Sequence, residues 1–244
     1  MLERPSPDSS AAPPDDASGS ATSPKTLVSA AYQRLRRDII EGRLAPGAKL
    51  RVEHLKDEYG VGAGTLREAL ALLVSDALVV ARGQRGFHVK PISIEDFHDI
   101  TRTRILLECE ALRQSIEFGD DVWEGRVVAA FHRLDRIEQR LASSPPGDFD
   151  EWEDRNREYH QALISGCRSP WIRHFLGILY QPAARYRRLV ITRKPIPRDL
   201  HGEHHAILDA TLAHDSGVAC KLLAEHISMT YEAVKQLPET LFSE

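Results

Sequence analysis

Histidine is the richest chemical resource of this chain, with eleven among 244 residues. Asn156 and His160 stand four positions apart and share one face of any helix that carries them. His204 lies in Glu203-His204-His205-Ala206-Ile207-Leu208, and His226 in Leu223-Ala224-Glu225-His226-Ile227. Three imidazoles and one amide oxygen, drawn from three helices, can surround a divalent cation in a bundle core. Spacing along the chain leaves their convergence open. His201 and His205 fall on other faces than His204. His54, His88, His98, His132, His174 and His214 have no partner by spacing and read as ordinary histidines.

A second chemistry belongs to the cations near the N-terminus. Arg67 falls in the first turn of a helix that follows a glycine turn, where a guanidinium can offer a bidentate fork to guanine. Thr65 stands beside it. Arg36, Arg37 and Lys49 are candidate phosphate contacts, as are Arg82 and Arg85 on a hairpin tip. Gly62-Ala63-Gly64 has no side chain to read bases but permits close approach of backbone to phosphate.

The elements that must position these residues can be read from periodicity. Leu27, Ala31, Leu35 and Ile39 repeat with helical spacing, and Pro46-Gly47 makes a turn. A short helix follows at Val52–Tyr59, with Val52, Leu55 and Tyr59 inward. Thr65 and Glu68 have the spacing of a capping box, which predicts a third helix starting at Thr65 with Leu66, Ala69, Leu70 and Leu73 inward. Leu78-Val79-Val80 and Phe87-His88-Val89 predict a two-stranded wing. A helix pair followed by such a wing is a winged helix-turn-helix, a DNA-reading device. From Ser93 on, every segment has helical period, with helices expected near 93–118, 121–142, 148–166, 169–191, 199–214 and 216–236. The expected fold is mainly α: residues 25–92 a winged helix-turn-helix, residues 93–238 an antiparallel all-helical bundle. The Pro- and Ser-rich residues 1–24 read as a disordered leader.

Charge agrees with this division. Residues 25–92 hold twelve Lys/Arg against seven Asp/Glu, a surplus of +5, while the whole chain is at −4. A basic module on an acidic body fits a polyanionic partner for the first part alone. Cys109, Cys167 and Cys220 lie far apart without CxxC spacing and read as small core residues of a reducing compartment. No apolar run is long enough to span a membrane, and no secretory h-region opens the chain, so the expected location is cytoplasmic.

The run Pro46-Gly47-x-x-Leu50, Gly60-Val61, Leu66-Arg67-Glu68-Ala69-Leu70 and Arg85-Gly86-Phe87-x-Val89 resembles the GntR family of bacterial transcription regulators. The helical half is similar to the FCD ligand-binding domain of that family's FadR branch. The resemblance covers about residues 26–236. It implies a metal set of Asn156, His160, His204 and His226. The family's pattern places a carboxylate or asparagine four residues before a histidine, and then two histidines twenty-two apart, as His204 and His226 are. Zinc is the default ion by ligand softness, with nickel, cobalt, iron or manganese as alternatives. The resemblance also places Arg104 at the pocket, where it could clamp a ligand carboxylate; a salt bridge to Glu108 at i+4 is the competing account. Arg185 and Tyr186 are further effector-pocket candidates. Three departures stand out. Gly62-Ala63-Gly64 replaces the usual Ser-Arg-Thr, Glu53 replaces a usual arginine, and Asn156 replaces the commoner aspartate, which weakens one ligand.

These readings converge on a DNA-binding transcription regulator, a repressor by expectation. It would act as a homodimer on double-stranded operator DNA and answer to a small carboxylic acid near a divalent metal. Two alternatives remain: a metal-dependent hydrolase using an open position on the three-histidine site, and a constitutive DNA binder whose metal only staples the bundle.

Overall fold

A computed structural model describes residues 24–141, 149–193 and 198–242. Of the leader expected over residues 1–24, residues 1–23 fall outside the described residues and Pro24 opens the first helix; residues 143–147 and 195–197, between the expected helices, also fall outside. The order of elements is α1 (Pro24–Ile40), β1 (Lys49–Leu50), α2 (Val52–Tyr59), α3 (Ala63–Ser75), β2 (Val79–Ala81), β3 (Phe87–Val89), α4 (Ile94–Phe118), α5 (Asp121–Leu141), α6 (Phe149–Leu163), α7 (Pro170–Arg193), α8 (Leu200–Leu212) and α9 (Ser216–Val234).

The first core is built by the residues whose periodicity predicted it. Ala31, Leu35 and Ile39 from α1 meet Leu66, Ala69, Leu70 and Leu73 from α3, with Leu55 and Tyr59 of α2 closing one end. Leu27 departs from the expected stripe: it is exposed and adds nothing to this core. α2 stops at Gly60, which adopts φ 66° and donates its backbone N–H to the Lys56 carbonyl oxygen. A left-handed residue at this point favours glycine. The Tyr59 hydroxyl donates to the Asp38 carboxylate, and Arg34 lies 4.8 Å over the same ring, so α1 and α2 are tied by polar contacts at the rim.

Two expectations need correction here. α3 begins at Ala63 rather than Thr65, with Gly62 as its N-cap and no side-chain cap bond. The Thr65–Glu68 pair therefore lies inside the helix, and no capping box forms. The wing also has three strands: β1 joins β3 antiparallel, in the order β1-β3-β2, with Lys49 opposite His88 and Val79 opposite Val89. Two residues are too short a run to show an alternating pattern, so β1 left no signal in the sequence.

The second half is helical among the described residues, as expected. α4 packs on α7 and α9, α5 on α6 and α8, and α8 on α9. Their inward faces share one core that includes Leu112, Trp123, Leu134, Trp152, Tyr159 and Leu223. Between the halves, Ser93 caps α4 by accepting from the Asp96 N–H at 3.0 Å. The Tyr186 hydroxyl bonds the Ser93 backbone, and its ring stacks on Phe97 at 4.2 Å between centroids. Such a pair is worth about 0.5–1.5 kcal/mol beyond its buried area. The connection is thus clamped to α7 rather than left as a free tether.

Gly60→Ala is expected to destabilise the DNA-reading half by about 1 kcal/mol, since alanine pays for the left-handed backbone that glycine adopts freely. The urea midpoint of that half, followed separately from the helical bundle, measures it.

Candidate metal centre and nucleic-acid interface

α6, α8 and α9 bring His160, His204 and His226 to one point, with one ring nitrogen of each within 4.8 Å of the others. Ring centroids are 5.9 Å apart for His160–His204, 5.3 Å for His160–His226 and 4.5 Å for His204–His226. All three are buried. Each ring is fixed by a carboxylate at Nδ1: Glu108 of α4 meets His160 at 3.2 Å, Glu138 of α5 meets His204 at 2.9 Å, and Glu203 of α8 meets His226 at 2.8 Å. A carboxylate at Nδ1 holds the proton there and leaves Nε2 as a free donor of its lone pair, the orientation that metal-binding histidines need.

Six buried side-chain atoms have no hydrogen-bond partner among the described residues, and Nε2 of His204 and Oδ1 of Asn156 are two of them. Unpaired buried polar atoms are costly, so these two call for a ligand. Asn156 precedes His160 by one helical turn on α6, as the spacing required. Three imidazole nitrogens and an amide oxygen, backed by three carboxylates, are a donor set that fits a divalent cation of borderline softness. The residues present therefore fit the metal that the resemblance implies.

Electrostatics keeps the rings ready. Burial holds the His160 imidazole down at about 4, against the pull of Glu108. Burial also lowers His226 well below the usual histidine range, with His204 and His160 adding to it. For Glu108, burial alone would raise the carboxyl, but Arg104 and His160 outweigh it and hold it at about 2. Arg104 is itself buried, bonded from Nε to Glu108 Oε1 at 2.7 Å, and lies 4.5 Å over the Tyr180 ring. The salt-bridge account of Arg104 thus describes its position, and through Glu108 it still reaches His160.

Arg185 and Tyr186 do not join this cluster. α7 turns Tyr180 toward Glu108, with its hydroxyl donating to Oε2 at 3.0 Å. Arg185 and Tyr186, further round the helix, face the connection instead. Arg185 donates to the Lys90 carbonyl oxygen at 2.8 Å, and Tyr186 packs with Ile92 and Phe97. Residues that sequence reasoning missed include Glu138, Glu203 and Arg198. The Arg198 guanidinium bonds Glu203, the Thr230 hydroxyl and the His226 carbonyl oxygen, and so braces the third histidine. One signal was available for Glu138: it sits in the apolar stripe of Phe131, Leu134 and Ile137, where a carboxylate needs a buried partner.

On the other half, Arg67 is exposed on α3, and Arg37, Lys49, Arg82 and Arg85 are exposed as well; Thr65 is half-buried. Arg36 does not sit with them. It is half-buried and donates to Gln181 Oε1 of α7 at 2.5 Å, so it is committed to the helical half. A Cβ placed on Gly62 or Gly64 would meet nothing within 4 Å, and neither needs a positive φ. The protein's own packing therefore does not require glycine at either place.

The family comparisons agree with this geometry. Residues 27–89 match the model for bacterial regulatory proteins of the gntR family, and residues 99–229 match the FCD domain. The chain belongs to the GntR family of transcription regulators and carries an FCD domain behind its helix-turn-helix. It is 49% identical over 212 residues to the HTH-type transcriptional regulator BphR of Paraburkholderia xenovorans, covering 87% of this chain and 86% of that one. It is 34% identical over 209 residues to the HTH-type transcriptional repressor GlaR of Escherichia coli, covering 84% and 94% respectively. The solved structure of Escherichia coli McbR/YncC superposes with a TM-score of 0.70 at 21% identity, over 86% of this chain and 97% of that one, which concerns the fold alone. The matched families and relatives are transcription regulators, not enzymes. No described helix is long and apolar enough to cross a membrane.

In the metal-free protein, stability is expected to fall as pH drops from 6.5 toward 4. The unfolded chain then takes up the His160 proton that the folded site refuses. The depressed Glu108 carboxyl acts with the same sign at lower pH, from 4.5 toward 2. His160 alone contributes on the order of 3 kcal/mol by the usual conversion. Denaturation midpoints in chelator at neutral and mildly acid pH check the direction.

Proposed function

We propose that this protein is a cytoplasmic, metabolite-responsive repressor. It binds operator DNA as a homodimer and is released or rearranged when a small organic acid binds beside a divalent cation in the helical half. The observation that carries the reading is the buried triad of His160, His204 and His226, each with its Nδ1 held by a carboxylate. Asn156 supplies the fourth donor. Zinc is the ion of first choice for three nitrogens and one oxygen, and nickel, cobalt, iron or manganese suit the same set less specifically. When bound, the cation would supply a Lewis-acidic point for an anionic ligand; Arg104 lies close enough through Glu108 to add positive charge. The name of GlaR, a repressor at 34% identity, supports the sign of regulation.

On the DNA side, the reading assigns base contact to Arg67 and phosphate contact to Arg37, Lys49, Arg82 and Arg85, with Thr65 and the backbone at Gly62–Gly64 lying along the duplex. Arg36 is assigned to the junction with α7 on the strength of its bond to Gln181. Two winged modules in a two-fold dimer suit a pseudo-palindromic site. The effector works only if it binds two dimer arrangements unequally, with a coupling of roughly 1–3 kcal/mol being typical. A second reading, in which the cation only staples the bundle, is favoured by the origin of the three histidines on three different helices, α6, α8 and α9.

Three measurements test this. Arg67→Ala is expected to weaken binding to the protein's own promoter fragment by about 1–3 kcal/mol, while random DNA is bound nearly as before; fluorescence anisotropy at fixed salt measures both. His204→Ala is expected to lose stoichiometric zinc, read by metal analysis after gel filtration, whereas Asn156→Asp should hold it more tightly. A thermal-shift screen of small carboxylic acids with and without zinc should find a ligand whose effect requires the metal and which changes operator affinity. A metal that raises thermal stability, while no acid alters DNA binding, would favour the staple.

A further inference from the structure

Cys109 and Cys220 are separated by 111 positions in the chain. The fold brings them face to face. α4 and α9 run antiparallel, with Phe97 and His98 at the start of α4 meeting Tyr231 near the end of α9. Counting back along both helices sets Cys109 opposite Cys220. The contact is reciprocal: the Cys109 Sγ lies 3.4 Å from the Cys220 carbonyl oxygen, and the Cys220 Sγ 3.2 Å from the Cys109 carbonyl oxygen. Each sulfur thus lies against the other residue's backbone, which makes the two cysteines direct neighbours across the α4–α9 contact.

The two thiols are also unlike each other. A hydrogen bond from Cys109 draws the Cys220 thiol down to about 7, with burial opposing and Arg113 assisting. The Cys109 thiol is pushed up by the same bond and by burial. Both residues are half-buried, whereas Cys167 is buried.

We propose that Cys109 and Cys220 form a reversible intramolecular disulfide when the protein meets a hydroperoxide. The Cys220 thiolate attacks the distal oxygen of the peroxide. It becomes a sulfenic acid, and the O–O bond breaks to release, after protonation, water or an alcohol. The Cys109 thiol then attacks the Cys220 sulfur; the S–S bond forms, and the sulfenic oxygen leaves as water with the thiol proton. The peroxide is the two-electron oxidant, and a dithiol reductant reverses the bond. The staple would fix α4 against α9. Glu108, the neighbour of Cys109, holds His160, and His226 lies on α9, so the link would fix the spacing of two helices that build the histidine cluster.

The test uses the full-length protein, treated with a small excess of hydrogen peroxide, blocked with N-ethylmaleimide and digested without reductant. Mass spectrometry is expected to find a Cys109–Cys220 linked peptide that dithiothreitol removes. The linkage and a raised thermal midpoint should appear in the wild type and in Cys167→Ser, and be absent from Cys109→Ser and Cys220→Ser. Failure to find the linked peptide, a link between two subunits, or independent oxidation of the two sulfurs to sulfinic acids would each overturn the proposal. Should a serine variant fail to fold, the linked peptide in the wild type still decides.

Discussion

Burying three imidazoles with ring nitrogens within 4.8 Å of one another is stable only while the rings stay neutral, since a proton on one would face its neighbours across a medium that screens poorly. The helical half is arranged around that requirement. Carboxylates arrive from three helices, and each takes one Nδ1 proton as a hydrogen bond. Their own burial is in turn offset by cations: Arg104 for Glu108 and Arg198 for Glu203. Glu138 instead receives the Trp152 indole N–H at 3.2 Å. A shell of this kind positions three lone pairs and surrounds them with negative charge, which suits a divalent cation better than it suits an empty polar core.

The same helices that hold the histidines reach the DNA-reading half. α6 turns Asn156 and His160 inward and offers Asp154 and Arg157 to a cleft shared with Arg36 and Arg37 of α1. α7 gives Tyr180 to Glu108 and the next residue, Gln181, to Arg36. Between them, Arg187 forms a buried ion pair with Glu153 and lies 5.9 Å from the centre of the Tyr180 ring. Polar contacts thus run from His160 through Glu108 to Tyr180, and the chain neighbour of Tyr180 carries the bond to α1. Continuity of this kind carries a signal only where the chain has two arrangements that a ligand distinguishes.

How much of this the sequence disclosed depended on the range of the interaction. Local periodicity was enough for α1 to α3, because Leu35, Leu66 and Leu70 recur at helical spacing and sit at zero exposure. The histidines could be ranked by resemblance, but their convergence depends on how α6, α8 and α9 pack, which no spacing encodes. Arg198 was invisible for that reason, and Glu138 showed only as a carboxylate in an apolar stripe: each acts on a histidine many residues away. Arg36 and Arg185 misled in the opposite direction. Arginine on a basic module reads as a phosphate contact and arginine near a pocket as a ligand clamp, yet both are spent on the junction, one with Gln181 and one with the Lys90 carbonyl. The cysteines read as unrelated small residues because antiparallel helix pairing, not sequence distance, decides which side chains meet.

The start of α3 has an evolutionary consequence. Gly62 is the N-cap of α3 and Gly64 lies in its first turn, and a methyl group at either would meet nothing within 4 Å of the rest of the protein. Neither position is held to glycine by backbone shape, so new side chains can be grafted there without disturbing the hydrophobic centre beneath. Whatever keeps glycine at these two positions must therefore act from outside the packed chain.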